Sequence, residues 1–270
     1  MSGIHSLRTS VAHLDELAAA DTAVGRVDPR AKLLTTIAFL ITVASFGRYQ
    51  VGALLPLALF PVALLALGEV PPGPLLWRVL LVSPFAILVG AFNPLLDRTP
   101  FGTLGPLALT GGWVSLASIL LRFVLSVSAA LLLVATTGFD AVCAALARVR
   151  VPRALVVQLL FMYRYLFVLS EEASRTSRAF ALRSPDKPRP SLRAAGTLLG
   201  QILLRTLDRA QRVHTSMVCR GFDGEVRLQR PMRWRASDSA FVGGWSAFFL
   251  LVRAYDLPRL LGGAITGSAG

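Results

Sequence analysis

The sequence predicts an all-α integral membrane protein, a bundle of about five transmembrane helices with a cytoplasmic domain of amphipathic helices. Hydrophobic residues make up 54% of the chain and charged residues 16%, with a mean hydropathy of +0.61, which is outside the soluble average. Residues 138–235 hold 18 of the 28 Lys and Arg residues but 7 of the 15 Asp and Glu residues, so they carry +11 of the chain's +13. Because Lys- and Arg-rich loops stay on the cytoplasmic side, this region is predicted to be cytoplasmic.

Five apolar stretches are candidates for the transmembrane helices. A bilayer core of about 30 Å requires roughly 20 mostly apolar residues per helix. In chain order, the stretches cover residues 33–46, 51–68, 79–96, 113–137 and 239–255. The first and last are short and depend on flanking residues, so a count of four or six spans stays open.

Several residues interrupt these stretches. Pro56 and Pro61 lie inside the second and Pro84 inside the third, and prolines in membrane helices indicate kinks or packing adjustments. Arg122 lies about a third of the way along the fourth. A charge in a membrane helix is costly and is by default a candidate functional residue, but snorkelling to an interface or pairing inside the bundle explains it equally well.

The order of spans and charges predicts the domain organisation. The first 30 residues carry Asp15, Glu16, Asp21 and Asp28, and no apolar segment precedes Leu33, which argues against a cleaved signal peptide. The N-terminus is therefore predicted to be cytoplasmic. The predicted parts are an N-terminal segment (1–32), a transmembrane bundle (33–137), a cytoplasmic domain (138–236), a last span (237–257) and a tail (258–270).

The cytoplasmic domain is predicted to contain three helices. A short one covers residues 139–149. A second begins after Pro152 and ends at Arg183, where Pro185, Pro188 and Pro190 follow, and a third covers residues 192–220 and ends at Gly221. Residues 154–169 are apolar enough for another span. A position half sunk at the cytoplasmic surface costs less, because a span would place Arg164 in the middle of the bilayer.

The two long helices are predicted to pack as a hairpin or a crossed pair. Glu171 and Arg175 of the first are spaced to pair along one face. The apolar positions of the other recur every three or four residues and form one seam: Leu199, Leu203, Thr206, Ala210, Val213 and Met217. Its arginines Arg205, Arg209 and Arg212 lie along an adjacent flank.

Catalytic and metal motifs are weak in this sequence. The histidines His5, His13 and His214 are far apart and form no HExxH or Cys/His cluster. Cys143 and Cys219 suggest neither a disulfide framework nor a CxxC site. No GxxxxGK[ST] phosphate loop occurs. We therefore predict a non-catalytic protein with no cofactor and no metal ligands.

The basic composition, with a pI near 11.3, also raises nucleic-acid binding as an alternative. Lys32 and Lys187 are the lysines, all other positive charges are arginines, and no nucleic-acid recognition motif accompanies them. Anionic headgroups of the lipid bilayer account for much of this charge instead. Nucleic acid is therefore not a predicted partner.

Matching tripeptides end the two long helices. Leu182-Arg183-Ser184 closes one and Cys219-Arg220-Gly221 closes the other. The helix dipole alone favours an arginine at a C-terminus and would explain one of them. The dipole does not explain why both long helices end in the same pattern. A guanidinium between small groups can enter a groove on another protein and bind carboxylates or carbonyls there.

These tripeptides resemble the two coupling motifs of a known family, the transmembrane T components of energy-coupling-factor (ECF) transporters, and within it the cobalt and nickel branch called CbiQ. Three further stretches carry the resemblance: Asp28-Pro29-Arg30-Ala31-Lys32, Val151-Pro152-Arg153 with Tyr163-Arg164-Tyr165, and Glu171-Glu172. Leu182, Ser184 and Cys219 depart from the family's common Ala-Arg-Gly, but both arginines are kept. Asn93-Pro94-Leu95-Leu96-Asp97 and Met162-Tyr163-Arg164-Tyr165 resemble the cobalt branch more than the vitamin branch.

The resemblance implies a coupling subunit in the bacterial plasma membrane that itself neither binds substrate nor hydrolyses ATP. Arg183 would dock in one of two ATP-binding-cassette ATPase subunits and Arg220 in the other. The further partners implied are a CbiM-like substrate-specificity membrane subunit and a small CbiN-like auxiliary subunit. Alternatives are a T component for vitamin uptake, a membrane enzyme with a cytoplasmic site near Arg164, Glu171, Glu172 and His214, and a basic protein that binds polyanions.

Overall fold

A computed structural model describes residues 22, 24–47, 50–93, 100–104, 107–184, 191–224 and 234–254. The all-α class is confirmed, because helices account for most of this part of the chain. Several residues used in the sequence analysis lie outside the described residues, namely His5, His13, Asp15, Glu16, Asp21, Pro94 to Asp97, Pro185, Lys187, Pro188, Pro190 and the tail.

The described elements follow the predicted order. The helices are α1 (Pro29–Ser45), α2 (Val51–Leu54), α3 (Leu59–Leu67), α4 (Pro72–Ala91), α5 (Gly111–Thr137), α6 (Phe139–Arg148), α7 (Arg153–Arg183), α8 (Leu192–Cys219) and α9 (Ala236–Ala254). A 3₁₀ turn, Leu55–Ala58, joins α2 to α3, and the strands β1 (Pro100–Leu104) and β2 (Leu107–Thr110) lie between α4 and α5.

Two of the predicted spans differ in their internal structure or boundaries. The second is not one continuous helix, because the 3₁₀ turn that contains Pro56 interrupts it, as its prolines indicated. The third begins at Pro72 rather than at residue 79 and therefore includes Arg78. Proline suits the first turn of a helix because its missing N–H would be unpaired there in any case.

The hairpin of β1 and β2 was not predicted. The strands are antiparallel, with Gly102 opposite Leu109 and Thr103 opposite Ala108, and the register shifts between Pro100 and Gly102. The two short strands lie between α4 and α5 in chain order, and β2 leads directly into α5.

Three of the described helices are long and apolar enough to cross a membrane, namely α4, α5 and α7. The helices at the other predicted spans are shorter or less apolar, with 17 residues in α1 and 19 in α9. By length and composition, α7 thus qualifies as a span, whereas the sequence analysis favoured a position at the membrane surface for its N-terminal half.

Contacts divide the chain into two compact units. Helices α1–α5 and α9, with the hairpin, belong to one unit, and α6, α7 and α8 to the other. The centre of the first unit is an aromatic cluster in which the ring centroids of Phe39 and Phe60 lie 4.8 Å apart and those of Phe60 and Phe249 5.4 Å apart. Phe39 and Phe60 are fully buried, so this cluster joins α1, α3 and α9.

Arg122 pairs within the first unit. Its Nη2 donates a hydrogen bond of 2.6 Å to the carbonyl oxygen of Gly47, just beyond the end of α1. This contact satisfies a carbonyl near a helix C-terminus, where cations are favoured. Of the two interpretations of Arg122, the structure supports a packing role.

Candidate functional site

The candidate site lies in the unit formed by α6, α7 and α8. Its base is a small apolar core in which Cys143 of α6 packs with Val156 and Leu160 of α7. Phe139 stacks on Tyr163 with ring centroids 4.3 Å apart. This packing fixes the N-terminal part of α7 against α6.

The first predicted arginine, Arg183, is the last residue of α7 and is exposed. Leu182 beside it is 85% exposed. The chain leaves the helix at Ser184, whose N–H donates to the carbonyl of Ala181 at 3.4 Å. The tripeptide that ends α7 therefore projects away from the core of this unit.

The second predicted arginine, Arg220, is the C-cap residue of α8. The N–H of Gly221 donates to the carbonyl of Val218 and the N–H of Phe222 to that of Met217, each at 3.0 Å. This is the Schellman pattern, and it places Gly221 at φ +80°, which glycine adopts without strain. Cys219, Arg220 and Gly221 are all exposed, so the tight turn presents Arg220 at the helix end.

Glu171 and Glu172, which carry part of the family resemblance, each form a salt bridge with an arginine. Arg175 Nη2 lies 2.7 Å from Glu171 Oε1, as the i,i+4 spacing predicted. Arg205 Nη1 of α8 lies 3.0 Å from Glu172 Oε1 of α7 and links the two long helices. Each carboxylate faces an arginine, so the two do not form the convergent acid and base that an enzyme would need.

The predicted seam of α8 is correct in its C-terminal half. Thr206, Ala210, Val213 and Met217 line a pocket together with residues of α7. Leu199 and Leu203, in contrast, are 66% and 59% exposed. The three- and four-residue spacing identified an apolar face correctly, but could not show where along it the neighbouring helix makes contact.

Two adjoining pockets lie between α7 and α8. The apolar pocket, of about 420 Å³, includes Phe161, Met162, Leu169, Val213, His214 and Met217 in its lining. The basic pocket, of about 590 Å³, is lined by four arginines, Arg164, Arg209, Arg212 and Arg220, beside Tyr165 and Ser216. All four arginines stood out in the sequence, and Arg209 and Arg212 were placed on one flank of α8, but their meeting with Arg164 and Arg220 in one pocket was not predicted.

The Asp28-Pro29-Arg30-Ala31-Lys32 motif lies in the unit that contains α1–α5 and α9. The side chain of Asp28 accepts a hydrogen bond from the N–H of Arg30 at 2.9 Å and caps α1, while its own N–H donates to Asp238 Oδ1 at 2.9 Å. Lys32 Nζ donates to the carbonyl of Thr136 at 2.8 Å. We call Asp28, Lys32, Thr136 and Asp238 the anchor cluster; all four are buried.

The anchor cluster explains the spacing of Asp28-Pro29-Arg30-Ala31-Lys32. The aspartate caps the helix, the proline occupies its first turn, and the lysine reaches the end of α5 one helical turn later. Asp238 was missed by the sequence analysis. It is the third residue of α9, and its Oδ2 accepts the N–H of Arg235, just before the helix, at 2.7 Å, as the third residue of a capping box does.

No metal-binding cluster occurs in the part of the chain that the structure describes, where no three His, Cys, Asp or Glu side chains are grouped suitably. His214 lines the apolar pocket. Cys143 is buried and Cys219 exposed, and both are free thiols.

These features define a class of protein: a helical membrane protein with a pair of long helices that end in exposed arginines. The family profile of the cobalt transport protein CbiQ matches residues 21–232. The chain belongs to the CbiQ family. The family-level resemblance drawn from its arginine motifs and its Asp28 motif is thereby confirmed.

Individual relatives agree with this assignment. The chain is 30% identical over 193 residues, 71% of each chain, to the cobalt transport protein CbiQ of Rhodobacter capsulatus. It is 27% identical over 240 residues to the energy-coupling factor transporter transmembrane protein EcfT of Bacillus subtilis, covering 81% of this chain and 88% of that one. A similar match, at 24% identity over 241 residues, is EcfT of Limosilactobacillus fermentum.

Proposed function

We propose that this chain is the transmembrane coupling subunit of an ECF-type importer in the bacterial plasma membrane, and that its cargo is cobalt or nickel. Two ATP-binding-cassette ATPase subunits would bind ATP and hydrolyse it. A separate CbiM-like membrane subunit, with a small CbiN-like auxiliary subunit, would bind the metal ion. The N-terminus and the unit of α6, α7 and α8 would face the cytoplasm.

The observation that carries this proposal is the exposure of Arg183 and Arg220 at the C-terminal ends of α7 and α8. Each guanidinium can enter a groove on a partner and form two parallel hydrogen bonds to a carboxylate. Each is presented by a rigid helix end rather than by a mobile loop. One ATPase subunit would receive Arg183 and the other Arg220.

The structure suggests how motion of the ATPases would reach the membrane. Helices α7 and α8 contact each other through one exposed salt bridge and the walls of two open pockets, and α8 contains no buried residue. Such a contact can change its crossing angle at low cost, as a rigid-body rearrangement of two packed elements. Approach of the two ATPases on ATP binding would change this angle and displace the helices that contact the substrate subunit.

The first test is the double variant Arg183→Glu/Arg220→Glu in the assembled transporter. Truncation of one partner in a desolvated charge pair costs about 2–5 kcal/mol, and reversal of its sign costs at least as much. We expect the ATPase subunits to be lost from the purified membrane complex and ATP-dependent cobalt uptake to stop. Co-purification and metal uptake into vesicles measure the two effects.

The matched control is Arg178→Glu/Arg193→Glu. These arginines are exposed, lie on the same two helices and give the same change of charge, but neither is at the C-terminal end of its helix, since Arg178 lies inside α7 and Arg193 in the first turn of α8. The control should retain the ATPases and uptake. Full uptake by the Arg183→Glu/Arg220→Glu variant would refute the proposal, provided that the protein is inserted in the membrane.

Cargo is a separate question, because the comparison with EcfT leaves a T component for vitamin uptake as the alternative. Purification of this chain with its natural partners identifies the substrate-binding subunit directly. Co-purified subunits that bind Co²⁺ or Ni²⁺ support metal transport. A vitamin-binding subunit in their place would correct the cargo while leaving the coupling role intact.

A further inference from the structure

The basic pocket between α7 and α8 has a concentration of positive charge of which the coupling role uses only Arg220. Arg164 of α7 and Arg209, Arg212 and Arg220 of α8 line it, and its lining contains no Asp or Glu. None of the four forms a salt bridge within the described residues. All four are exposed, so solvent screens their mutual repulsion, but each guanidinium can donate charge-assisted hydrogen bonds to one anion bound among them.

An apolar compartment continues from this charged one. The two pockets share Phe161, Tyr165, Arg209, Val213 and Met217, so a single ligand can occupy both. Their volumes of about 420 and 590 Å³ fall within the range of about 300–1,000 Å³ for small-molecule sites. A ligand that fits has an anionic head and an apolar tail.

The surroundings of α7 indicate where such a ligand comes from. Leu155, Met162 and Leu166 on its N-terminal half are each more than half exposed. An apolar helix with exposed leucines lies in or against lipid, because water would not solvate that surface favourably. Met162 also lines the apolar pocket, so lipid in contact with this face of α7 would reach that pocket, and amphiphiles with anionic heads are abundant in bilayers.

We propose that α7 and α8 hold one anionic phospholipid between them. Arg164, Arg209 and Arg212 bind its phosphate, and one acyl chain lies along Phe161, Val213 and Met217. This site shares Arg220 with the proposed coupling function, but the three arginines that bind the phosphate are not among the residues proposed to dock in an ATPase, so loss of lipid binding and loss of ATPase docking can be measured separately.

The test uses the purified full chain in a neutral detergent and measures the midpoint of thermal unfolding. A ligand that binds the native state raises this midpoint in a concentration-dependent way. We expect a saturable rise with phosphatidylglycerol and none with phosphatidylcholine or inorganic phosphate. An equal rise with inorganic phosphate would show a free-anion site, and an equal rise with phosphatidylcholine would show general solvation by lipid; either result overturns the proposal.

Variants locate the site. Arg209→Gln/Arg212→Gln should weaken the apparent affinity for phosphatidylglycerol by roughly 100-fold, because each charge-assisted contact is worth about tenfold or more. Arg178→Gln/Arg193→Gln, with the same loss of charge outside the pocket, should leave the affinity unchanged. An unchanged affinity in the first variant overturns the proposal.

Two further variants guard against misfolding and address the apolar compartment. Arg209→Lys/Arg212→Lys keeps the charge but loses the paired hydrogen bonds, so its affinity should lie between those of the wild type and the Gln variant. Ala210→Phe fills part of the apolar pocket without changing charge and should also weaken lipid binding. Wild-type affinity in Ala210→Phe would contradict the position of the acyl chain.

Discussion

The two cysteines have identical side chains but very different surroundings. Cys143 is 1% exposed within the core of α6 and α7, whereas Cys219 is exposed beside Arg220. Burial, with the nearby Asp140 carboxylate, raises the pKa of the Cys143 thiol to about 11. Because the thiolate is the reactive form, these two cysteines should differ strongly in reactivity.

This difference gives a prediction for thiol labelling. At pH 7.5, N-ethylmaleimide should modify Cys219 quickly and Cys143 slowly, since less than about one part in a thousand of Cys143 is thiolate at that pH. Mass spectrometry of intact protein should show one rapid addition. The variant Cys219→Ser should lose it, and rapid labelling that persists in this variant would contradict the buried position of Cys143.

At the scale of elements, the connection from α3 to α4 passes close to α5. A Cβ added at Gly68 would lie 2.6 Å from the carbonyl oxygen of Leu64 and 2.8 Å from Cγ2 of Thr136. Both distances are shorter than real Cβ contacts allow. Glycine at this position therefore lets the end of α3 approach the residue whose carbonyl also accepts from Lys32.

We expect Gly68→Ala to lower the free energy of unfolding by about 1–3 kcal/mol, because the backbone or Thr136 must move. Gly200→Ala is the matched control. A Cβ at Gly200, within α8, meets no atom within 4 Å, and alanine there should stabilise the helix by about 1 kcal/mol. Thermal unfolding of both variants measures the contrast, and equal effects of the two substitutions would argue against the close approach.

The helix ends of α7 and α8 illustrate what the sequence can predict. The proline cluster after Arg183 and the glycine after Arg220 are local signals, and both ends lie within a residue of the prediction. The hairpin, the start of α4 and the basic pocket were not predicted. Each depends on contacts between parts of the folded chain, which the pattern of hydrophobicity and charge along the sequence does not show.

At the scale of the whole molecule, the anchor cluster joins distant parts of the chain. The hydrogen bond from Asp28 to Asp238 spans 210 residues, and that from Lys32 to Thr136 spans 104. The sequence identified Asp28 and Lys32 through the family motif, but their partners could not be predicted. Pairing over such separations is decided by tertiary packing, which brings the starts of α1 and α9 to the end of α5.

Asp238 tests the importance of this cluster. Asp238→Ala removes the acceptors of two backbone N–H groups, those of Asp28 and Arg235. Unfolding should become easier by about 1–3 kcal/mol, because a buried donor is left without a partner. Asp238→Asn retains one acceptor oxygen, so its free energy of unfolding should fall by less than that of Asp238→Ala. Thermal unfolding measures both, and a larger loss of stability for Asn than for Ala would count against this account.

The uninterrupted course of α7 has a mechanical consequence. Its 31 residues include neither proline nor glycine, and at about 1.5 Å per residue the helix is roughly 46 Å long. Without a kink to absorb bending, it behaves as a stiff lever arm whose fulcrum is the core around Cys143 and Leu160. A small rotation of α7 about that core would move Arg183 through a larger distance, and a force applied at Arg183 would act on the core as a torque.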